Sequence, residues 1–302
     1  MLDIARTLLV LPVLLFAHCV CAQPLAPVRF LLTFDDGPEI GVPSLTAKIQ
    51  RQLAHNPVMP GIKALFFVQS VHKIHGDSDV GRQLMRDTCT GGHLLGLHSG
   101  TPRGHVPHPR LAPDELVESL AQGNLAIEQQ CPGKVTLVRP PYWVYTDATL
   151  AAYRNAQMEM LQADASVNDG KIYGWIVSLR RRSHLRSSLE RVAEVRAAGL
   201  IPEADGVLPV IVALHDTNSY TAEHMTEYLQ ILVEESAAVG LPLARAPFYA
   251  DSDAIARAAH VRAQKQLYVC DKTALATPIA VRLGLKDGDT RRGCFSVTAQ
   301  NK

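Results

Sequence analysis

The chain has 302 residues, of which 47% are hydrophobic and 20% are charged, so it is long enough to bury a substantial core. Its formal net charge is +1, and it has neither a long basic run nor a glycine-rich phosphate loop. This composition argues against a nucleic-acid-binding protein and suits a single barrel-like domain.

Residues 1–22 have the pattern of a secretory signal peptide. Arg6 supplies the positive start, Leu8–Ala17 the apolar centre, and Val20-Cys21-Ala22 a cleavage site after Ala22. An uncleaved anchor is the alternative, although the apolar stretch is short for a membrane span and Pro12 interrupts it. The sequence therefore predicts export, either to the periplasm or out of the cell.

Seven apolar segments are predicted as strands. Most are continuous apolar runs, which is typical of parallel strands covered on both faces. They are Val28–Phe34, Ile62–Val68, His93–His98, Lys134–Arg139, Met158–Asp164, Leu208–His215 and Leu241–Ala246. Helical patterns lie between them, for example after Ser44, a good N-cap, and before Gly199, a good helix stop. The alternation predicts an α/β barrel, complete or incomplete, with its active site at the carboxyl ends of the strands.

Residues 23–250 are expected to form this barrel, and residues 251–302, which break the alternation, a C-terminal extension packed on it. Four cysteines follow the signal peptide: Cys89, Cys131, Cys270 and Cys294. An even number in an exported chain predicts two disulfides, and sequence proximity favours Cys89–Cys131 and Cys270–Cys294 among three connectivities. Four buried free thiols are the alternative.

Polar side chains recur at the predicted carboxyl ends of five strands. They are Asp35 and Asp36; His98, with His105 and His108 beyond it; Arg139, Tyr142 and Trp143; Asp164 and Asp169; and His215 and Asp216. One Asp and two His make a three-ligand site with an open position, the pattern of a catalytic zinc. Such a metal acidifies a bound water and polarises a carbonyl, a free carboxylate can act as base, and a distant His as acid. The pattern therefore predicts hydrolysis of an amide or an ester.

The segment Thr33-Phe34-Asp35-Asp36-Gly37-Pro38 resembles, letter for letter, the first motif of polysaccharide deacetylases of carbohydrate esterase family 4, which carry a NodB homology domain. The Gly92–Ser99 segment resembles the family's Gly-His-x-x-Gly-x-His-Ser pattern, and the order of motifs extends the similarity over residues 28–246. The resemblance implies a distorted (β/α)7-type barrel. It also implies a metal-dependent hydrolase that removes acetyl groups from an N-acetylated or O-acetylated polysaccharide by means of a metal-activated water.

The resemblance assigns the base and two metal ligands. Asp35 would be the general base, with Arg139 as the ion-pair partner that keeps it charged. Asp36 and His98 would hold a divalent metal, for which zinc is favoured, while cobalt or nickel suits the same ligands.

The resemblance also assigns the other catalytic groups. Tyr142 would offer its backbone N–H to the developing oxyanion. Leu214 would help to wall the acetyl pocket, and His215 would be the general acid.

The second metal histidine departs from the family pattern. It normally follows the first by four residues, but position 102 is Pro. His105 and His108 are the candidates, and His108 is preferred because the following Pro109-Arg110-Leu111 resembles the family's His-Pro-x-Leu at a helix start.

Two further departures affect the rim of the site. The family motif that ends in Asp-Trp is altered, because Asp169 is followed by Gly170. Asp169 is expected to orient His215 through Arg139 or nearby groups, with Asp164 as the alternative. Trp143, where relatives often have Gly, would either stack on a sugar ring or pack internally.

A non-catalytic glycan-binding protein on the same fold is the alternative function, because the second histidine and the Asp-Trp motif are altered. Against it, a pure binder would need neither the base nor the acid. The sequence leaves the glycan open among chitin-like chains, peptidoglycan, poly-N-acetylglucosamine and acetylated xylan. His72 and His75 are expected to be solvated loop residues, since no carboxylate is near them in the sequence.

Overall fold

The computed structural model describes residues 25–169 and 181–268, with side chains described as far as residue 264. The predicted signal peptide and the predicted Cys270–Cys294 disulfide lie outside the described residues.

The described residues form eight strands and seven α-helices, which alternate along the chain except that β6 directly follows β5. The strands are β1 Val28–Asp35, β2 Leu65–Gln69, β3 Leu94–Ser99, β4 Leu137–Val138, β5 Glu159–Met160, β6 Ala165–Ser166, β7 Leu208–His215 and β8 Leu243–Phe248. The helices are α1 Leu45–Ala54, α2 Asp79–Thr90, α3 Pro113–Glu128, α4 Asp147–Asn155, α5 Arg181–Ala197, α6 Ser219–Ala238 and α7 Ser252–Tyr268. Short 3-10 helices cover His108–Arg110 and Pro141–Trp143.

The strands form one parallel sheet in the order β5-β4-β3-β2-β1-β7-β6, with β8 also paired to β1. Bent into a half-barrel with helices on its outside, this sheet confirms the expected distorted (β/α)7-type barrel. All seven predicted strands overlap observed ones, and Leu208–His215 has the predicted bounds. Only β6 was not predicted, because two residues leave no recognisable apolar run.

Local signals explain several helix boundaries. The Ser44 side chain accepts a hydrogen bond from the Ala47 N–H and caps α1 as expected. Helix α3 begins at Pro113, which has no N–H to leave unpaired in the first turn. Gly199, just beyond α5, has φ 68°, a left-handed conformation that suits glycine and ends the helix.

Strand alternation divides the core into two layers. Phe30, Leu32 and Phe34 of β1 pack in an outer layer with side chains from α1, α3, α5 and α6. Leu31 points the other way, into an inner layer that also contains Phe67 and Ile211. The inner layer is covered by α7 through Ile255, Ala258, Ala259 and Ala263. The part of the predicted extension that the structure describes therefore shares the core of the barrel.

The predicted Cys89–Cys131 disulfide is confirmed, with Cα atoms 5.9 Å apart. It joins the end of α2 to the turn that follows α3. Among the described residues, the helices are all too short or too polar to cross a membrane.

Candidate metal and catalytic site

The two adjacent carboxylates at the end of β1 reach the same site by different routes. Asp35 has the inner-layer parity of Leu31, and its side chain is buried. Alternation alone would send Asp36 to the helix-covered side. Asp36 instead has φ 78°, a left-handed conformation that Asp tolerates better than most residues, and the chain turns there. This turn lets both carboxylates face the edge of the sheet.

Asp35 forms a buried ion pair with Arg139. Arg139 Nη1 lies 2.8 Å from Asp35 Oδ1 and 2.6 Å from Thr33 Oγ1, and Arg139 Nε donates to the Leu161 carbonyl at 3.0 Å. The guanidinium lies 4.3 Å from the Phe67 ring and 4.6 Å from the Trp143 ring. These contacts fix Arg139 on both faces and hold a positive charge against Asp35, as expected.

Three potential metal ligands converge beside this pair. His98 Nε2 and His105 Nε2 are each 3.0 Å from Asp36 Oδ1 and 3.0 Å from each other. His98 donates its Nδ1–H to the Arg139 carbonyl at 2.8 Å, which leaves Nε2 as the ring atom that can bind a metal. Asp36 Oδ1 is buried and makes no well-aligned hydrogen bond with any described residue. Two imidazole nitrogens and a carboxylate oxygen at this spacing fit a divalent cation.

The surroundings of Asp36 favour its ionised form. Burial alone would raise the pKa of Asp36, but the adjacent His105 and His98 rings, together with the charge of His215, hold that pKa well below its usual range. The carboxylate is therefore available as a ligand at neutral pH.

The structure places the alternative, His105, in the cluster with Asp36 and His98, and not the preferred His108. His108 is fully buried with Nδ1 2.6 Å from the Tyr153 hydroxyl. Burial and the nearby His98 and His105 lower the pKa of His108 to about 3, so its ring is neutral. Gly104, with φ 75°, makes the turn that brings His105 inward. The sequence did not reveal this turn, because nothing local distinguishes the two histidines' directions.

We expect His105→Ala to lose the metal, because it removes one of three ligands, and His108→Ala to retain it. His108→Ala should cost about 1–3 kcal/mol of stability, since the buried Tyr153 hydroxyl loses a partner. Metal content after dialysis distinguishes the two variants, and thermal melts check their folding. Loss of the metal from His108→Ala alone would reverse the assignment.

A second histidine–carboxylate pair lies on the opposite side of the site. His215 donates its Nδ1–H to Asp169 Oδ1 at 2.6 Å, and its backbone N–H to Asp169 Oδ2 at 2.7 Å. Thr221 Oγ1 also donates to Asp169 Oδ2, at 2.6 Å. Asp169 thus orients His215 directly and not through Arg139, which corrects the expected route. Asp164, the alternative, is paired elsewhere, with Arg262.

The Asp169 pair sets the protonation of His215. Burial alone would lower the pKa of His215, but the charge and hydrogen bond of Asp169, with Asp35 and Asp36 nearby, raise it to about 10. His215 Nε2 lies 3.9 Å from Asp36 Oδ2. A protonated imidazole therefore faces the ligand cluster, as a general acid requires.

Residues 23–161 match the sequence model of the family described as polysaccharide deacetylase. This part of the chain belongs to the polysaccharide deacetylase family. The family resemblance drawn from the motifs is thereby confirmed. The matched region contains the Asp35–Asp36 motif, His98 and His105, whereas Asp169 and His215 follow it. No curated protein matches the sequence.

The protein shares its fold with solved structures. A chitin deacetylase from Colletotrichum lindemuthianum is 18% identical, with 72% of this chain and 84% of that chain covered and a TM-score of 0.55. A family 4 carbohydrate esterase from Streptomyces lividans, in complex with acetate, is 18% identical over 72% of this chain and 92% of that chain, with a TM-score of 0.51. A polysaccharide deacetylase from Bacillus cereus is 19% identical over 69% and 88%, with a TM-score of 0.50.

Two aromatic residues shape the rim of the candidate site. Tyr142 and Trp143 have φ 59° and 60°, a left-handed conformation that is costly for aromatic residues. Tyr142 is 58% exposed, with its ring 4.2 Å from that of His105. Its backbone N–H is the group expected to donate to the oxyanion. Trp143 instead packs on Arg139, so the internal alternative describes it better than a sugar-stacking role.

Leu214 does not line the candidate site, and the expectation that it walls an acetyl pocket is wrong. Its side chain is fully buried in the outer layer, in register with Phe34. His215 follows it in the strand and points inward, so Leu214 must point outward. Ala213 is the neighbour with inward parity.

Polar groups that sequence reasoning left without a role hold the motif loop in place. Asp216 is buried, accepts a hydrogen bond from Thr46 Oγ1 at 2.6 Å, and packs so closely that a Cβ on Gly37 would lie 2.1 Å from Asp216 Oδ2. Burial and the charge of Asp36 raise the pKa of Asp216 to about 7. His75 donates its Nδ1–H to the Pro38 carbonyl at 2.9 Å, and is half-buried, not solvated as expected.

Proposed function

We propose that the protein is a metal-dependent hydrolase that removes acetyl groups from an acetylated polysaccharide. The observation that carries this proposal is the set of Asp36, His98 and His105 ligand atoms within 3.0 Å of one another. The buried ion pair between Asp35 and Arg139 and the protonated His215 flank that set.

A divalent cation bound by Asp36, His98 and His105 would polarise the acetyl carbonyl and acidify a water. Zinc suits two imidazoles and a carboxylate with an open position, and cobalt or nickel can use the same ligands. The family match and the candidate site support a divalent cofactor without specifying which ion.

The protein side chains supply the proton transfers. Asp35, paired with Arg139, takes the proton of the attacking water. The Tyr142 N–H donates to the oxyanion that develops on the acetyl group. His215, oriented by Asp169, then donates its Nε2 proton to the departing sugar nitrogen or oxygen.

We propose an envelope or extracellular glycan as the substrate. The predicted signal peptide and the Cys89–Cys131 disulfide both suit an oxidising compartment. Polymers of N-acetylglucosamine are the first candidates, because an N-acetyl group provides the amide carbonyl that this site can polarise.

The test is acetate release from chitin oligomers, peptidoglycan, poly-N-acetylglucosamine and acetylated xylan, with metal-stripped and reconstituted protein. We expect release from at least one substrate, loss on chelation, and recovery with zinc, cobalt or nickel. Undiminished release by metal-free protein would overturn the mechanism. Glycan binding without acetate release by metal-loaded protein would support the non-catalytic alternative instead.

A further inference from the structure

Two buried ion pairs lie next to each other in the inner layer. One is Asp35–Arg139, in the catalytic site, and the other is Asp164–Arg262. All four side chains are almost completely buried. Asp164 and Arg139 are also close enough that each favours the charged form of the other. Arg139 therefore has a second buried carboxylate, Asp164, near it in addition to Asp35.

Helix α7 delivers Arg262 to this position. Ile255, Ala258, Ala259 and Arg262 recur at helical spacing, so they share the face that covers the inner layer. The alanines have small side chains, which let the helix approach the sheet closely. Arg262 donates to Asp164 Oδ1, while Asp164 Oδ2 accepts the Ile211 N–H at 2.7 Å. The Arg262 guanidinium thus neutralises the charge of Asp164, which is buried away from water.

Without Arg262, two buried carboxylates would compete for one guanidinium. Arg139 Nη1 donates a hydrogen bond to Asp35, and Arg139 Nη2 has no hydrogen-bond partner among the described residues. A buried carboxylate that lacks its partner is strongly destabilised and attracts any nearby cation. Rotation of Arg139 toward Asp164 would weaken its bond to Asp35 and disturb its stacking on Trp143.

We propose that Arg262 is a positioning residue for the catalytic pair: by neutralising Asp164, it leaves Arg139 to Asp35. This inference rests on the proposed function for its effect on turnover. Helix α7, for which the sequence predicted no function, would thereby contribute a residue that positions the site.

The test compares Arg262→Met with Arg257→Met, a control on the same helix whose ion pair with Asp205 is exposed. The double variant Asp164→Asn/Arg262→Met removes the competing charge. The chain has two tryptophans, and all variants are made in a Trp175→Phe background so that Trp143 is the one that remains. Its fluorescence then reports the position of Arg139, and kcat and KM report catalysis.

We expect Arg262→Met to shift Trp143 emission and to lower kcat by about 10- to 100-fold with little change in KM, as misplacement of a catalytic group does. The double variant should recover both values, and Arg257→Met should match the parent. Unchanged emission and kcat in Arg262→Met would reduce Arg262 to an anchor and overturn the proposal.

If Arg262→Met does not fold, the double variant decides. Folding with the parent's emission supports the proposal, and either failure to fold or altered emission contradicts it. The emission comparison does not depend on acetate release. A parent protein that releases no acetate would therefore count against the proposed function while leaving the positioning of Arg139 measurable.

Discussion

Asp36→Asn is expected to abolish metal retention and to reduce acetate release to the level of metal-free protein. Asn tolerates the left-handed conformation that Asp36 adopts at φ 78°, so the substitution should preserve the turn. It removes the negative charge whose Oδ1 lies 3.0 Å from both His98 Nε2 and His105 Nε2. The loss can therefore be attributed to the ligand and not to the backbone.

Metal content after dialysis and acetate release measure this effect. Asp77→Asn is the matched control, because Asp77 is a surface residue paired with Arg82. A variant that retained stoichiometric metal would show that Asp36 is not a ligand.

Asp35→Asn is expected to keep the metal and to lower kcat by about 10²–10⁴-fold, the usual contribution of a general base. Asp35 is paired with Arg139 at 2.8 Å and is absent from the ligand cluster. Asn can still accept a hydrogen bond from Arg139, but it cannot take a proton from water.

Metal analysis and kinetics on the same protein sample distinguish Asp35 from Asp36. Thermal melts are needed as well, because Asp35→Asn leaves Arg139 as a buried charge without its counter-ion. Equal metal loss in the two variants would contradict the division of roles between the adjacent carboxylates.

The strands and the Asp35–Asp36 motif could be predicted because their signals are local. Continuous apolar runs marked the parallel strands, and residues that end neighbouring strands meet at one edge. The family resemblance suggested Leu214 as a site residue. The alternation of side chains along β7 would have excluded it, because the neighbouring His215 points into the site.

The choice between His105 and His108 and the role of α7 could not be predicted in the same way. Both depend on directions that the chain acquires only in three dimensions: the turn at Gly104 and the docking of Ile255 and Arg262 on the inner layer. The orientation of His215 by Asp169 was predicted as a partnership but not as a direct contact, because 46 residues separate them.

The two flanking pairs have a consequence for the charge balance of the site. Asp164 and Arg262 cancel, which leaves the carboxylates of Asp35, Asp36 and Asp169 against Arg139 and protonated His215, with Asp216 half-titrated near neutral pH. With Asp216 left out of the count, three negative and two positive groups have a net charge of one negative, and a bound dication would change this sum to one positive. The net charge of the site would then favour a reaction in which a neutral acetyl group gains a single negative charge.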